Sequence, residues 1–89
     1  MTHFLLLYEY VPDIVERRGP HRPDHLALVR RWKDDGRIAI AGALGDPPRG
    51  AAFAFRVADQ AEVEQFVADD PYVAAGLVAN RRVEQWNVI

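Results

Sequence analysis

Residues 3 to 11, HFLLLYEYV, are apolar at nearly every position, a run too short for a buried helix and rich in aromatic and branched side chains. Such a run predicts a strand that is apolar on both faces, with Phe4, Leu6, Tyr8 and Tyr10 on one side and Leu5, Leu7 and Glu9 on the other. A turn-like segment from Pro12 to Pro20 follows, with room for a helical turn between its ends. The period then changes. On a wheel of about 100° per residue, Leu28, Val29 and Trp32 point where His25 points, and Arg30, Arg31 and Asp34 point away. Pro23 suits the first helical position because its missing N–H would have no partner there. Gly36, after Asp35, is a natural left-handed stop.

Beyond Gly36 the sequence returns to strand-like composition. RIAIAGAL (37–44) and AAFAFRV (51–57) flank the turn GDPPRG and predict a hairpin. Asp59 is expected to cap a second helix, with Glu62 completing a capping box, and Val63, Phe66 and Val67 form its buried stripe as far as Ala68. Asp70-Pro71 opens a further turn of helix that Gly76 closes. LVANRRVEQWNVI supplies a last strand with an irregular bend near Asn80.

The order β-α-β-β-α-β predicts an α+β, ferredoxin-like fold: a four-stranded antiparallel sheet with both helices on one face. The other face then lacks cover from its own chain. The third strand offers Phe53 and Phe55 to one side and Ala52 and Ala54 to the other, and the open face is expected to carry aromatics such as Phe53 and Phe55. An apolar sheet face of this kind needs a second layer, and a second copy of the chain would provide it, so a homodimer is expected.

Composition narrows the function classes. The 89 residues read as one small domain, 1–89, and 49% of them are hydrophobic. A chain this short is marginally stable alone, which again favours association. A formal net charge of −2 gives no electrostatic footprint for nucleic acid. Arg17, Arg18, Arg22, Arg30 and Arg31 read as a solvated face. The absence of cysteine removes thiol nucleophiles and thiolate metal sites. No apolar run is long enough to span a bilayer and no signal peptide is visible, so a cytoplasmic protein is expected. Three histidines without ligand spacing predict no zinc, and no cofactor motif is present.

His25 is the residue that the core pattern does not explain. It stands in the first turn of a helix, at the head of an apolar stripe. The positive end of the helix and partial burial both disfavour a charged ring, while a nearby carboxylate would favour it. A ring balanced between these influences suits a general base. Asp35 is an unsuitable partner, since it lies about 15 Å along the same helix. Asp70 is better placed, because antiparallel helices bring the end of the second beside the start of the first. Two plainer readings stand beside this one: His25 as a half-buried packing residue, and Asp70 as the cap of the turn begun by Pro71.

The stretch HRPDHLALVRRWKDDGRIAIAGAL resembles the YCII-related (YciI-like) family, in which an Arg-x-x-His element opens the first helix. Here that element is Arg22-Pro23-Asp24-His25. Gly36 with Ala41-Gly42, and Asp70-Pro71-Tyr72 with Ala75-Gly76, match further family motifs in order. The resemblance implies a dimeric α/β-barrel of the ferredoxin-like class with a His-Asp site, His25 and Asp70 in this chain. It also implies kinship with a dehydrochlorinase acting on chlorinated hydroxyhydroquinone. The expected function is a cofactor-independent enzyme in which His25 moves a proton on a small aromatic or enol-like substrate and Asp70 orients the ring. In that reading Tyr8 offers a phenolic hydrogen bond to the substrate, Arg22 holds an anionic group and Tyr72 walls the pocket. A ligand-binding module without turnover is the alternative, and the aromatics keep a cofactor-free monooxygenase in view. If His25 and Asp70 serve chemistry alone, replacing either is expected to leave stability almost unchanged.

Overall fold

The computed structural model describes residues 1–89. Four strands, β1 (Thr2–Tyr10), β2 (Ile38–Leu44), β3 (Gly50–Val57) and β4 (Val78–Trp86), form one antiparallel sheet in the order β2-β3-β1-β4. The helices are α1 (Ile14–Arg17), α2 (Arg22–Asp34), α3 (Gln60–Asp69) and α4 (Pro71–Ala74). The split βαβ arrangement follows from this order: β1 and β3 are central, and α2 and α3 pack on the same side. No helix is long and apolar enough to cross a membrane.

The core lies between that sheet face and the helices. Phe4, Leu6, Tyr8 and Tyr10 alternate inward from β1, as period two requires, and meet Leu28 and Trp32 of α2 and Val63, Phe66 and Val67 of α3. Trp32 stands nearly perpendicular to Phe55 and Phe66 at centroid distances of 5.8 and 5.4 Å, an arrangement that the ring quadrupoles favour. The guanidinium of Arg37 covers the Trp32 ring at 3.7 Å. Gly36 takes φ +78° immediately after α2, the left-handed stop expected there.

Register corrects one expectation about the open face. Phe4 pairs with Phe55 and Leu6 with Phe53, so these phenylalanines share the inward side of β1 and are almost wholly buried. The open face is instead built from Leu5 opposite Ala54 and Leu7 opposite Ala52. An irregularity between Ile38 and Ile40 adds to it. Ile38 pairs with Phe55 on the inside, yet Ile40 pairs with Ala54, so the extra residue turns Ile40 outward, where it is 69% exposed. Leu5, Ile40, Leu44, Ala52, Ala54 and Trp86 line a shallow hollow of about 300 Å³ on this face. Strand alternation could not reveal this, because the bulge changes the count within β2.

Two local details differ, while the irregularity expected near Asn80 is present. α2 begins at Arg22, one residue ahead of Pro23. Asp59 makes no side-chain cap, and Glu62 reaches back to the Ala58 N–H at 2.9 Å, leaving half of the expected box and one residue earlier. The bend in β4 is a register shift in which Glu9 faces Asn80 and Tyr10 faces Val78. Gly50 governs how closely β3 approaches the strand that carries Tyr8: a Cβ there would collide with the Tyr8 carbonyl, so only glycine fits.

Candidate active site

Asp70 sits between α3 and α4 in extended conformation, φ −77° and ψ 117°. With Pro71 as the next residue, α4 starts at once, and the Asp70 carboxylate folds over its first turn: Oδ1 accepts the Tyr72 N–H at 3.0 Å. The cap aims the carboxylate at the interior. There Oδ1 also lies 2.8 Å from His25 Nδ1, and Oδ2 accepts the Tyr8 hydroxyl at 2.8 Å. Asp70 has no exposed surface, so β1, α2 and α4 each contribute a donor to one buried carboxylate. Both plain readings therefore hold part of the truth. Asp70 is a cap and a histidine partner together.

Hydrogen-bond logic assigns the ring. The carboxylate already accepts from the Tyr72 amide and the Tyr8 hydroxyl, so Nδ1 is the His25 nitrogen that donates to it. Nδ1 is the only ring nitrogen with a protein partner, and no buried side-chain nitrogen or oxygen lacks one. Nε2 therefore reaches solvent-accessible space, although the residue as a whole is buried. The plane is fixed by stacking: Tyr72 lies parallel to the imidazole at 2° and 3.9 Å, and Phe53 meets it edge-on at 6.4 Å. A ring held by one carboxylate and two aromatics keeps a fixed plane and leaves its second nitrogen free to accept a proton or a hydrogen bond.

The space beside it is a cavity of about 160 Å³ between α2 and the edge strand β2. A space of this size accepts one benzene-like ring. Leu26, Val29, Ala41, Ala51 and Phe53 make it mostly apolar, and His25, Tyr10, Tyr72, Arg18 and Arg22 bring the polar groups. Arg22 and Tyr72 both line this cavity. Tyr8 does not: its hydroxyl is committed to Asp70 within the core, and it is absent from the cavity wall. The expected phenol-to-substrate contact is replaced by a phenol-to-carboxylate contact one layer behind the histidine. Two polar lining residues, Tyr10 and Arg18, were missed. Tyr10 shares the face of Tyr8 two residues on, a signal that period two carried. Arg18 follows α1, the helical turn for which the Pro12–Pro20 segment left room, but that segment gave no sign of the direction in which Arg18 points. His3 lies in β1 and His21 at the start of α2, and no three His, Asp or Glu side chains converge as a metal site would need.

Burial, then the charge of Asp70 and its hydrogen bond, pushes the Tyr8 phenol far above the ordinary tyrosine range. Burial does the same to Tyr10, helped by Tyr72 and Asp70 and opposed by Arg18. Tyr72 is raised by burial against the pull of Arg18 and Arg22. For Tyr8 and Tyr10 the folded values lie above the unfolded ones. Their contribution is therefore complete below about pH 10, where free tyrosine titrates, and is lost as pH rises through the folded values. Each should lower the unfolding free energy by up to about 1.4 kcal/mol per pH unit above that point. Urea titrations across this range should show a shallower alkaline loss for Tyr10→Phe than for the parent chain; identical slopes would contradict the assignment.

The YCII-related domain model matches residues 2–87. The proteins named YciI from Escherichia coli O6:H1 and Shigella flexneri are each 33% identical, over 86% of this chain and 88% of theirs. The 5-chloro-2-hydroxyhydroquinone dehydrochlorinase of Burkholderia phenoliruptrix AC1100, solved with 2,5-dihydroxybenzoquinone, superposes with a TM-score of 0.82 at 27% identity, covering 96% of this chain and 93% of that one. An antibiotic biosynthesis monooxygenase aligns with a TM-score of 0.60 at 12% identity, over 100% of this chain and 99% of the other, which is a likeness of fold alone.

Proposed function

Because the chain belongs to the YCII-related family, and because its buried carboxylate presents a bare imidazole nitrogen to a ring-sized cavity, we propose that it is a cofactor-independent acid–base enzyme acting on a small hydroxylated ring. The arrangement of Tyr8, Asp70 and His25 carries this reading. Asp70 holds the imidazole and stabilises its cation, and Tyr8 holds Asp70. His25 Nε2 takes the proton of a ring hydroxyl and can return it to a ring carbon, giving the keto tautomer. Where that carbon bears a halogen, loss of a second hydroxyl proton expels halide with the electrons of its bond. Hydrogen halide leaves overall, and no oxidant or reductant is consumed.

The dehydrochlorinase likeness suggests the first substrate to try. Purified protein mixed with 5-chloro-2-hydroxyhydroquinone should release chloride above the spontaneous rate. Binding of the ring without chloride release or tautomer exchange would instead favour a ligand-binding module.

A homodimer belongs to the same reading. The hollow of Leu5, Ile40 and Trp86 presents apolar side chains that a lone domain leaves in water. Ala41, Gly42 and Ala43 line both this hollow and the cavity beside His25, so a partner packed on the open face would back the thin β2 wall of the site. Light scattering at micromolar concentration should give twice the chain mass, and Ile40→Glu, which places a charge in that layer, should give the monomer. A clean monomer for the parent chain would contradict the dimer.

A further inference from the structure

Resting on the acid–base reading, we propose that the cavity selects a planar single-ring oxyanion, with Arg18 and Arg22 holding its charged oxygen and Tyr10 and Tyr72 donating to it. The chain as a whole is acidic, with a net charge of −2. The lining of this cavity has the opposite sign: it contains two arginines and no aspartate or glutamate. Asp70, the nearest acid behind it, is fully occupied by its three donors.

The two arginines also differ from their neighbours. Arg17, Arg37, Arg81 and Arg82 each reach a carboxylate within 4 Å, and of the arginines without such a partner only Arg18 and Arg22 line this cavity. Arg18 is half-buried, so part of its hydration is lost without a compensating charge. Both act on the Tyr72 phenol, which places their charge at that end of the cavity. Tyr10 and Tyr72 make no side-chain hydrogen bond through their hydroxyls, and their titration is displaced upward, so they remain donors at neutral pH. The remaining wall, with Leu26, Val29 and Phe53, suits the faces of a ring. Anion at one end, ring against the apolar wall and imidazole alongside is the complement of this lining.

Calorimetry with three probes distinguishes the cases: 2,5-dihydroxybenzoquinone as a ring enolate, benzoate as a ring carboxylate and resorcinol as a neutral ring of similar size. The enolate should bind at least about tenfold more tightly than resorcinol, the scale of one charge-assisted hydrogen bond, and its affinity should fall with added salt. Benzoate binding like the enolate would widen the class to ring oxyanions in general, and benzoate binding like resorcinol would confine it to enolates. Arg22→Gln, at an exposed helix start where folding should persist, should weaken the enolate about tenfold, and Arg18→Gln/Arg22→Gln together should abolish the preference over resorcinol. Equal binding of enolate and resorcinol, an enolate affinity indifferent to both substitutions, or no binding of any probe would overturn the proposal. The acid–base reading fails separately: if His25→Ala keeps full turnover while the arginine dependence persists, the oxyanion site stands and the base assignment falls.

Discussion

Replacing His25 with alanine is expected to lower turnover of a hydroxylated ring substrate by about two to four orders of magnitude, the range associated with loss of a general base. The reason is positional. Nδ1 is committed to Asp70, Tyr72 and Phe53 hold the plane, and Nε2 alone faces the cavity. No other lining side chain can accept a proton at neutral pH, because the remaining polar groups are two phenols held protonated and two guanidinium ions. The substitution also removes a buried ring from an aromatic stack, so a moderate fall in melting temperature should accompany it. Circular dichroism establishes that the variant is folded before rates are compared. A folded variant with parental turnover would make the histidine a packing residue.

Asp70→Ala is expected to be the most damaging single substitution for stability, at about 3–5 kcal/mol, the scale for removing one partner from a buried charged group. This reverses the expectation drawn from the chain alone, that neither site residue matters much for stability. Alanine would leave the Tyr8 hydroxyl, the Tyr72 N–H and the His25 Nδ1 without their acceptor in a region with almost no exposure. For a domain whose total stability is of order 5–15 kcal/mol, such a loss approaches unfolding. Asp70→Asn should cost clearly less. Its oxygen can still accept from Tyr72 and His25, and its amide can donate to the Tyr8 hydroxyl, which is able to accept. Urea denaturation of the parent and both variants should rank them in that order, with Asn between. Equal midpoints for the parent and the alanine variant would show that the three donors find other partners.

Much of the site is legible in the chain, and the part that is not has physical causes. His25 is legible because helical periodicity fixes the direction of a side chain within a turn, and Leu28 and Trp32 define the inward side. Asp70 is legible because Asp-Pro marks a helix start, and the βαββαβ order returns that start to the beginning of α2. Tyr8 falls on the correct face, but a strand pattern gives side rather than depth, and depth decides whether its hydroxyl meets a ligand or a carboxylate. The inward turn of Phe53 and Phe55 needs register, which depends on the pairing of β1 with β3 and is absent from either strand read singly. Arg18 needs the geometry of α1, four residues long and below the length at which periodicity carries a signal.

Chemical rescue tests the central claim, that His25 acts as the proton carrier and is not merely part of the core. The measurement is chloride release from 5-chloro-2-hydroxyhydroquinone by folded His25→Ala as imidazole is added, with the parent chain as reference. The alanine leaves a gap of imidazole size between Tyr72 and Asp70, and a free imidazole seated there would recover both the carboxylate contact and a bare nitrogen facing the cavity. The expected result is a depressed rate that rises with imidazole toward saturation, while the parent rate stays flat. A depressed rate that imidazole leaves unchanged, although the variant is folded and imidazole is shown to bind in the gap, would contradict it.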